Sequence, residues 1–234
     1  MDKRTEDTSA EGALAAVAHD YSRLLIDLFG AMAYGELSAF ERLSSDARFS
    51  PTLTDRLALG RLAVAEFQHF ELVATHVQNS GGDVEQAMGP FVASINAFHE
   101  RTKPADWYES LMKHYVMDAV SRDFYCEIAT LLDSDTRDLV QQIHSAETQS
   151  AYLLARLESA LANDPRLASR LALWGRRLVG EALTRTRQVS LERGVVGRML
   201  KDDDGAQLEA EISRIFTRLT RNHSYRMNAL KLTA

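Results

Sequence analysis

Apolar residues recur along most of the chain at intervals of three and four, the signature of helices that bury one face. Breakers divide this pattern into segments. A helix is predicted from about Glu11 to Ser44, and Ser50-Pro51 opens a second that ends at Asn79-Ser80-Gly81-Gly82. Asp83 to Arg101 reads as a shorter helix, interrupted or kinked at Gly89-Pro90. Pro104 precedes a third long helix, about Trp107 to Leu132, and Asp133-Ser134-Asp135 forms a tight turn with capping residues. A fourth long helix follows to about Ala162 and is closed by Asn163-Asp164-Pro165; two more are predicted near Arg166 to Lys201 and Gly205 to Asn228. No β-type alternation of useful length and no short-period repeat is present.

The first and second long helices pair through a short turn, as do the third and fourth. The crossover between the pairs is about 25 residues long. Two hairpins joined in this way predict an all-α, ferritin-like four-helix bundle rather than a simple up-down one. Its bounds are 13–165, preceded by a polar tail, 1–12, and followed by C-terminal helices, 166–234, packed on the bundle.

Each apolar stripe is broken near its middle by a carboxylate. The first reads Leu25, Phe29, Met32, Glu36, Phe40, Leu43 and the second Leu59, Leu62, Glu66, His69, Val73. The third reads Val116, Ala119, Asp123, Cys126 and the fourth Val140, Ile143, Glu147, Ser150, Leu154, Leu157. A buried, unpaired carboxylate costs several kcal/mol or takes up a proton, so four facing one core call for a cation among them. The depths agree. Glu36 and Glu66 lie about 22 Å from the turn joining their helices, and Asp123 and Glu147 about 18 Å from theirs. In a bundle about 40 Å long with those turns at opposite ends, all four reach one level. Glu66-Phe67-Gln68-His69 puts two ligand types on one helix face, one turn apart.

Composition narrows the class further. The single cysteine, Cys126, excludes an internal disulfide and fits a reducing cytosol, no apolar run approaches membrane-spanning length, and the polar N-terminus does not resemble a signal peptide. The expected compartment is the cytoplasm. Net charge is −6, but residues 165–200 carry eight arginines against two glutamates. That basic stretch either decorates a solvated helix or faces phosphate. No phosphate-binding glycine loop, cysteine zinc cluster or serine nucleophile elbow occurs.

The order Glu36, Glu66-x-x-His69, Asp123, Glu147-x-x-Ser150 resembles the carboxylate-bridged di-iron proteins. More narrowly, Glu66-Phe67-Gln68-His69-Phe70-Glu71, Tyr34-Gly35-Glu36-Leu37-Ser38-Ala39-Phe40, Asp123-Phe124-Tyr125 and Leu173-Trp174-Gly175-Arg176-Arg177-Leu178-Val179-Gly180-Glu181 resemble the tRNA 2-methylthio-N6-isopentenyladenosine hydroxylase (MiaE) family and its shorter, actinobacterial-type relatives, over roughly residues 15–200. The resemblance implies a ferritin-like fold, two irons, dioxygen and hydroxylation of an organic substrate, with tRNA a candidate through Arg166–Arg198. It implies iron ligation by Glu36, Glu66, His69, Asp123 and Glu147, with Glu66 and Glu147 bridging. Two positions depart from the family pattern. Asp123 stands where glutamate is usual, and Ser150 where a second histidine is expected. His144, one turn before Glu147, is a substitute for that histidine. A water in its place, a single-metal site or an empty bundle are the other outcomes. Glu127 is an alternative to Asp123. Cys126 reads as a core residue, His76 as a surface or satisfied histidine rather than an interior one, and Tyr34 and Tyr125 as buried aromatic packing or, alternatively, the lining of an oxygen or radical site. A non-catalytic ferritin-like scaffold and an iron-oxidising or storage protein remain competing functions, and a homo-oligomer stays open.

Overall fold

A computed structural model of the chain describes residues 4–144, 148–193 and 205–234. Within them lie eight α-helices, one 3-10 turn and no strand. They are α1 (Arg4–Asp46), α2 (Leu53–Asn79), α3 (Val84–Arg101), α4 (Trp107–Ala129), α5 (Ser134–Ile143), α6 (Thr148–Leu161), α7 (Pro165–Arg193) and α8 (Gly205–Ala229), with the 3-10 turn at Ala47–Phe49. α1 takes in residues 4–12, most of the stretch that the sequence reads as a polar tail.

Polar side chains set the helix starts by accepting the N–H groups that a first turn leaves unbonded. Thr52 Oγ1 accepts from the Asp55 N–H at 3.1 Å, Asp83 from Gln86 at 2.8 Å, Asp106 from Glu109 at 2.9 Å and Asp133 from Thr136 at 2.9 Å. α2 stops where Gly81 takes a φ of 76°, left-handed backbone that costs glycine little. Two expectations change. Pro90 does not interrupt α3, which continues through it; the burial of Ala87, Phe91 and Phe98 outweighs one missing backbone bond. The fourth long helix is two helices, because α5 ends at His144 (φ −98°, ψ 10°), whose ring stacks on Tyr125.

α1 lies against α2 along its length and against the crossover helix α3, while α4 packs against α6, α7 and α8. The α1–α3 approach is close enough that a Cβ on Gly30 would meet the Ala87 carbonyl oxygen at 2.1 Å, so only glycine fits there. The interior forms two apolar clusters. One contains Leu43, Leu59, Leu62, Leu111, Val120 and Leu157; the other contains Phe29, Met32, Val73, Ile128, Val140 and Ile215. On each of α1, α2 and α4 the chain passes from one cluster to the other, and the polar positions sit at the crossing. No helix of the described residues is long and apolar enough to cross a membrane.

A buried network ties the start of α2 to α6. Asp55 accepts from Arg156 Nε at 2.7 Å and Nη2 at 3.2 Å, from Thr52 at 2.7 Å and from Tyr152. Burial opposes the Asp55 charge, but the hydrogen bonds from Tyr152, Thr52 and Arg156 outweigh it and hold the carboxyl below its ordinary range. A depressed carboxylate stabilises the fold above its unfolded pKa, near 4, and that contribution disappears as pH falls through the folded value. The Asp55 side chain is 4% exposed and Arg156 is 31% exposed. Arg156→Met should therefore cost about 2 kcal/mol, less than a fully buried pair would. Denaturant unfolding at pH 7 measures this, and the gap between the wild type and Asp55→Asn should shrink as the pH is lowered below about 4.

Candidate metal centre

Glu36 on α1 and Glu66 and His69 on α2 occupy the layer between the two apolar clusters. Glu36 follows Met32 and Ala33 of one cluster and precedes Leu43 of the other, while Glu66 follows Leu62 and Ala63 and precedes Val73. Both carboxylates are buried, 7% and 8% exposed. His69 Nδ1 lies 3.6 Å from an oxygen of each. The three side chains each offer one ligand atom within 4.8 Å of the other two, the metal-competent group among the described residues.

Burial dominates the electrostatics. It raises the Glu36 carboxyl to about 8, aided by the adjacent Glu66 charge and opposed by a hydrogen bond from His69. Burial works against the Glu66 charge too, but hydrogen bonds from His69 and Glu36 overcome it and pull that carboxyl below its ordinary range. Burial also disfavours charge on His69, yet the Glu36 and Glu66 carboxyl groups, each 3.6 Å from its Nδ1, raise it to about 10. The Glu36–Glu66 pair thus favours holding one proton between them, with Glu36 raised and Glu66 lowered, while His69 is held toward its charged form. These are the groups a divalent cation would displace protons from. Two carboxylates and one imidazole form a donor set that suits a first-row metal such as iron, so the residues present fit the group.

The other sequence-derived candidates fall elsewhere. Asp123 has the right depth but the wrong face. Its oxygens accept from Arg226 at 2.7 Å and Asn222 at 3.0 Å, both on α8. Residues two apart on a helix are about 200° apart around it, so with Ser121 and Tyr125 lining the central cavity Asp123 is turned away. The stripe Val116, Ala119, Asp123 is indeed covered, but Asp123 meets α8 rather than α1 and α2. Glu127 does not replace it, being bonded to Arg218 at 2.7 Å and facing Arg214 at 3.6 Å. Cys126 lies near Asp123; burial and then that charge push its thiol up, away from reactivity. His76 packs on Phe29 with ring centroids 4.4 Å apart. Glu147 and the side chain of Ser150 lie outside the described residues.

His144 reaches the same cavity as the three-residue group without joining it. Its ring is stacked on Tyr125 at 5.7 Å with planes 7° apart, and its buried Nε2 has no hydrogen-bond partner among the described residues. Burial, then the positive charge of His69, lowers its pKa to about 4, so it offers a neutral nitrogen. Tyr125 lines the cavity as well, its phenol pushed up by burial and by the nearby Glu36 charge. Tyr125 reads from the sequence as aromatic packing, with the lining of an oxygen site as its alternative, and the structure puts it on the cavity wall. The signal that would have found it is the second stripe on α4, His114, Met117, Ser121, Tyr125 and Ile128, spaced by three and four, which lines the cavity.

Because burying Glu36 disfavours its charge, Glu36→Gln should raise the melting temperature of the metal-free protein while weakening metal retention. Thermal melts of metal-stripped protein, paired with metal analysis after reloading, read both effects.

A family model for the ferritin-like domain of actinomycetes matches residues 19–203. Among solved structures, the chain is similar to protein 19 from Synechococcus, described as having aldehyde deformylating oxidase activity. The TM-score is 0.61 at 18% identity, over 91% of this chain and 94% of that one. At that identity the likeness is one of fold. No curated protein matches the chain. The matched family model spans α1 from residue 19, the Glu36–Glu66–His69 layer and the helices through the whole of α7, and the chain belongs to the actinomycete ferritin-like domain family.

Proposed function

We propose that this protein is a non-haem iron oxygenase acting on a small, largely apolar organic substrate. The observation that carries the reading is the meeting of Glu36, Glu66 and His69 beside a cavity of about 270 Å³ whose walls are mostly apolar. Glu66 and His69, one turn apart on α2, would hold the ion from one side, and Glu36 on α1 from the other. His144 and the cavity-lining Tyr125 stand nearby as further polar groups. Iron bound there supplies the one-electron and dioxygen chemistry that amino-acid side chains lack. The chain's own contribution is to hold the ligands between two apolar cores, exclude water and orient the substrate. That the Synechococcus protein of the same fold has aldehyde deformylating oxidase activity is consistent with oxidative chemistry here.

A second ion, which the resemblance to the di-iron proteins implies, would need ligands beyond these three. Asp123 is engaged by Arg226 and Asn222. The second position therefore rests on His144 and on Glu147.

A tRNA substrate, the finer implication of the resemblance, has less support. Much of the basic α7 segment is tied to its neighbours. Arg170 pairs with Asp106, Arg177 donates to the Arg101 carbonyl at 2.6 Å, Arg176 donates to the Thr233 carbonyl at 3.0 Å, and Arg187 pairs with Glu209. Arg198 lies outside the described residues. These contacts give the arginines a structural role, and the cavity is the better guide to the substrate.

Reconstitution with ferrous iron under anaerobic conditions, followed by metal analysis, tests the reading. Wild-type protein should retain at least one iron per chain, and Glu66→Ala should lose it while keeping its helical circular dichroism. Retention of no iron by the wild type would remove the oxygenase and leave a scaffold role. Salt-dependent binding of tRNA, weakened by replacing Arg176 and Arg177, would restore the tRNA reading.

A further inference from the structure

The cavity beside the metal group is long and its ends differ. Along α1 its lining runs from Asp27 to Leu43, about 24 Å. Leu28, Phe91, Ile95, Met117 and Phe124 contribute to apolar walls. Past Glu36 and toward the C-terminal end of α1 the lining changes, with Arg42 on α1, His99 on α3, and Lys113 and His114 on α4. Arg42 follows Glu36 by six residues, about 9 Å along the helix axis.

Two aspartates also line the cavity, Asp27 at its apolar end and Asp118 on α4 one turn past His114, but the basic end gathers more positive groups than negative ones. The Nε of Arg42 and the Nδ1 of His99 are buried with no hydrogen-bond partner among the described residues. Lys113 is 5% exposed; one of its N–H groups donates to the Thr102 carbonyl at 2.9 Å, and its ammonium lies 5.5 Å from the centre of the Phe98 ring. Asp46 faces the cluster, but it already accepts from Ser110 and lies 3.3 Å from His114 Nε2. Glu100, the other acidic neighbour of Lys113, is exposed on α3. Burial lowers His99 to about 3, with Lys113 and Arg42 adding to it. Burial also lowers Lys113 to about 8 despite Asp46, with Arg42 again acting in the same direction. A buried guanidinium N–H without an acceptor, set near a buried ammonium, is costly unless an anion completes it, and the neutral His99 ring can lend that anion one N–H.

We propose that Arg42, His99 and Lys113 bind the anionic head group of an amphiphilic substrate, a carboxylate or phosphate monoester, whose hydrocarbon chain extends along the apolar walls past Glu36 and Glu66. This deepens the oxygenase reading and rests on it for the word substrate; the binding itself does not depend on metal. The head group sits on the guanidinium and ammonium, where charge-assisted hydrogen bonds are strong in a low-dielectric pocket. The offset of about 9 Å between Arg42 and Glu36 places a carbon well along the chain, rather than the head-group carbon, beside the metal ligands.

Calorimetric titration of the metal-free, full-length protein with decanoate, decyl phosphate, decanol and decyltrimethylammonium tests this. At least one anion should bind about tenfold or more tightly than decanol, since charged hydrogen bonds are involved, and the cation should bind weakest. The tighter of decanoate and decyl phosphate identifies the head group. Arg42→Met and Lys113→Met should each reduce anion affinity about tenfold while leaving decanol affinity and iron content unchanged. Circular dichroism checks folding, and Arg42→Met carries the test if Lys113→Met fails to fold. Equal affinity for anions and decanol, no binding of either anion to the wild type, or an anion preference that survives substitution overturns the proposal. A protein that binds the anion but no iron loses the oxygenase reading and keeps this one; iron retained without anion preference does the reverse.

Discussion

Two carboxylates lie side by side in the interior of this bundle, between apolar clusters that would each be better packed without them. Mutual repulsion and loss of hydration make that arrangement expensive. It persists because the Glu36–Glu66 pair favours holding one proton and His69, its Nδ1 3.6 Å from both, is held toward its charged form. The remaining features of the site follow from that constraint. Helices α1 and α2 must run together at mid-depth for the three groups to meet, and the cores above and below hold them there. A cation that replaced the protons would relieve the same repulsion, so the cost in the metal-free fold is also the driving force for binding.

The other half of the bundle is organised differently. Helix α4 is apolar on two faces because it has partners on two sides, α6 and α7 as well as α8. Its acidic groups Asp123 and Glu127 neutralise arginines of α8, fastening that helix to the bundle. The face of α4 that looks into the cavity carries His114, Asp118, Ser121 and Tyr125. The result is asymmetric, with carboxylates and His69 on the α1–α2 side and a phenol and the His144 imidazole opposite. α7 contributes Trp174, whose indole N–H donates to the Glu109 carbonyl at 2.9 Å, and arginines that bind backbone at the ends of its neighbours. Four of its arginines, Arg170, Arg176, Arg177 and Arg187, are tied to neighbouring elements.

Helix order, the long crossover and the mid-depth polar layer were legible in the sequence, because each depends on local rules. Breakers and capping residues such as Thr52, Asp83, Asp106 and Asp133 act on their own first turns, and a carboxylate within an apolar stripe is anomalous wherever the stripe packs. Glu36, Glu66 and His69 were found this way, since α1 and α2 each present one clearly apolar face at that level. Asp123 was drawn into the same set by its place in an apolar stripe and by its depth. Depth depends only on counting residues at 1.5 Å each, whereas facing depends on which neighbour covers which side. Nothing in the α4 segment by itself states that α8 packs on the Asp123 side. Only the tertiary structure decided that, and with it the role of Tyr125, the break of the fourth helix at His144 and the gathering of Arg42, His99 and Lys113 from three helices at one end of the cavity. Those are contacts between residues distant in sequence, and periodicity along one helix carries no information about them.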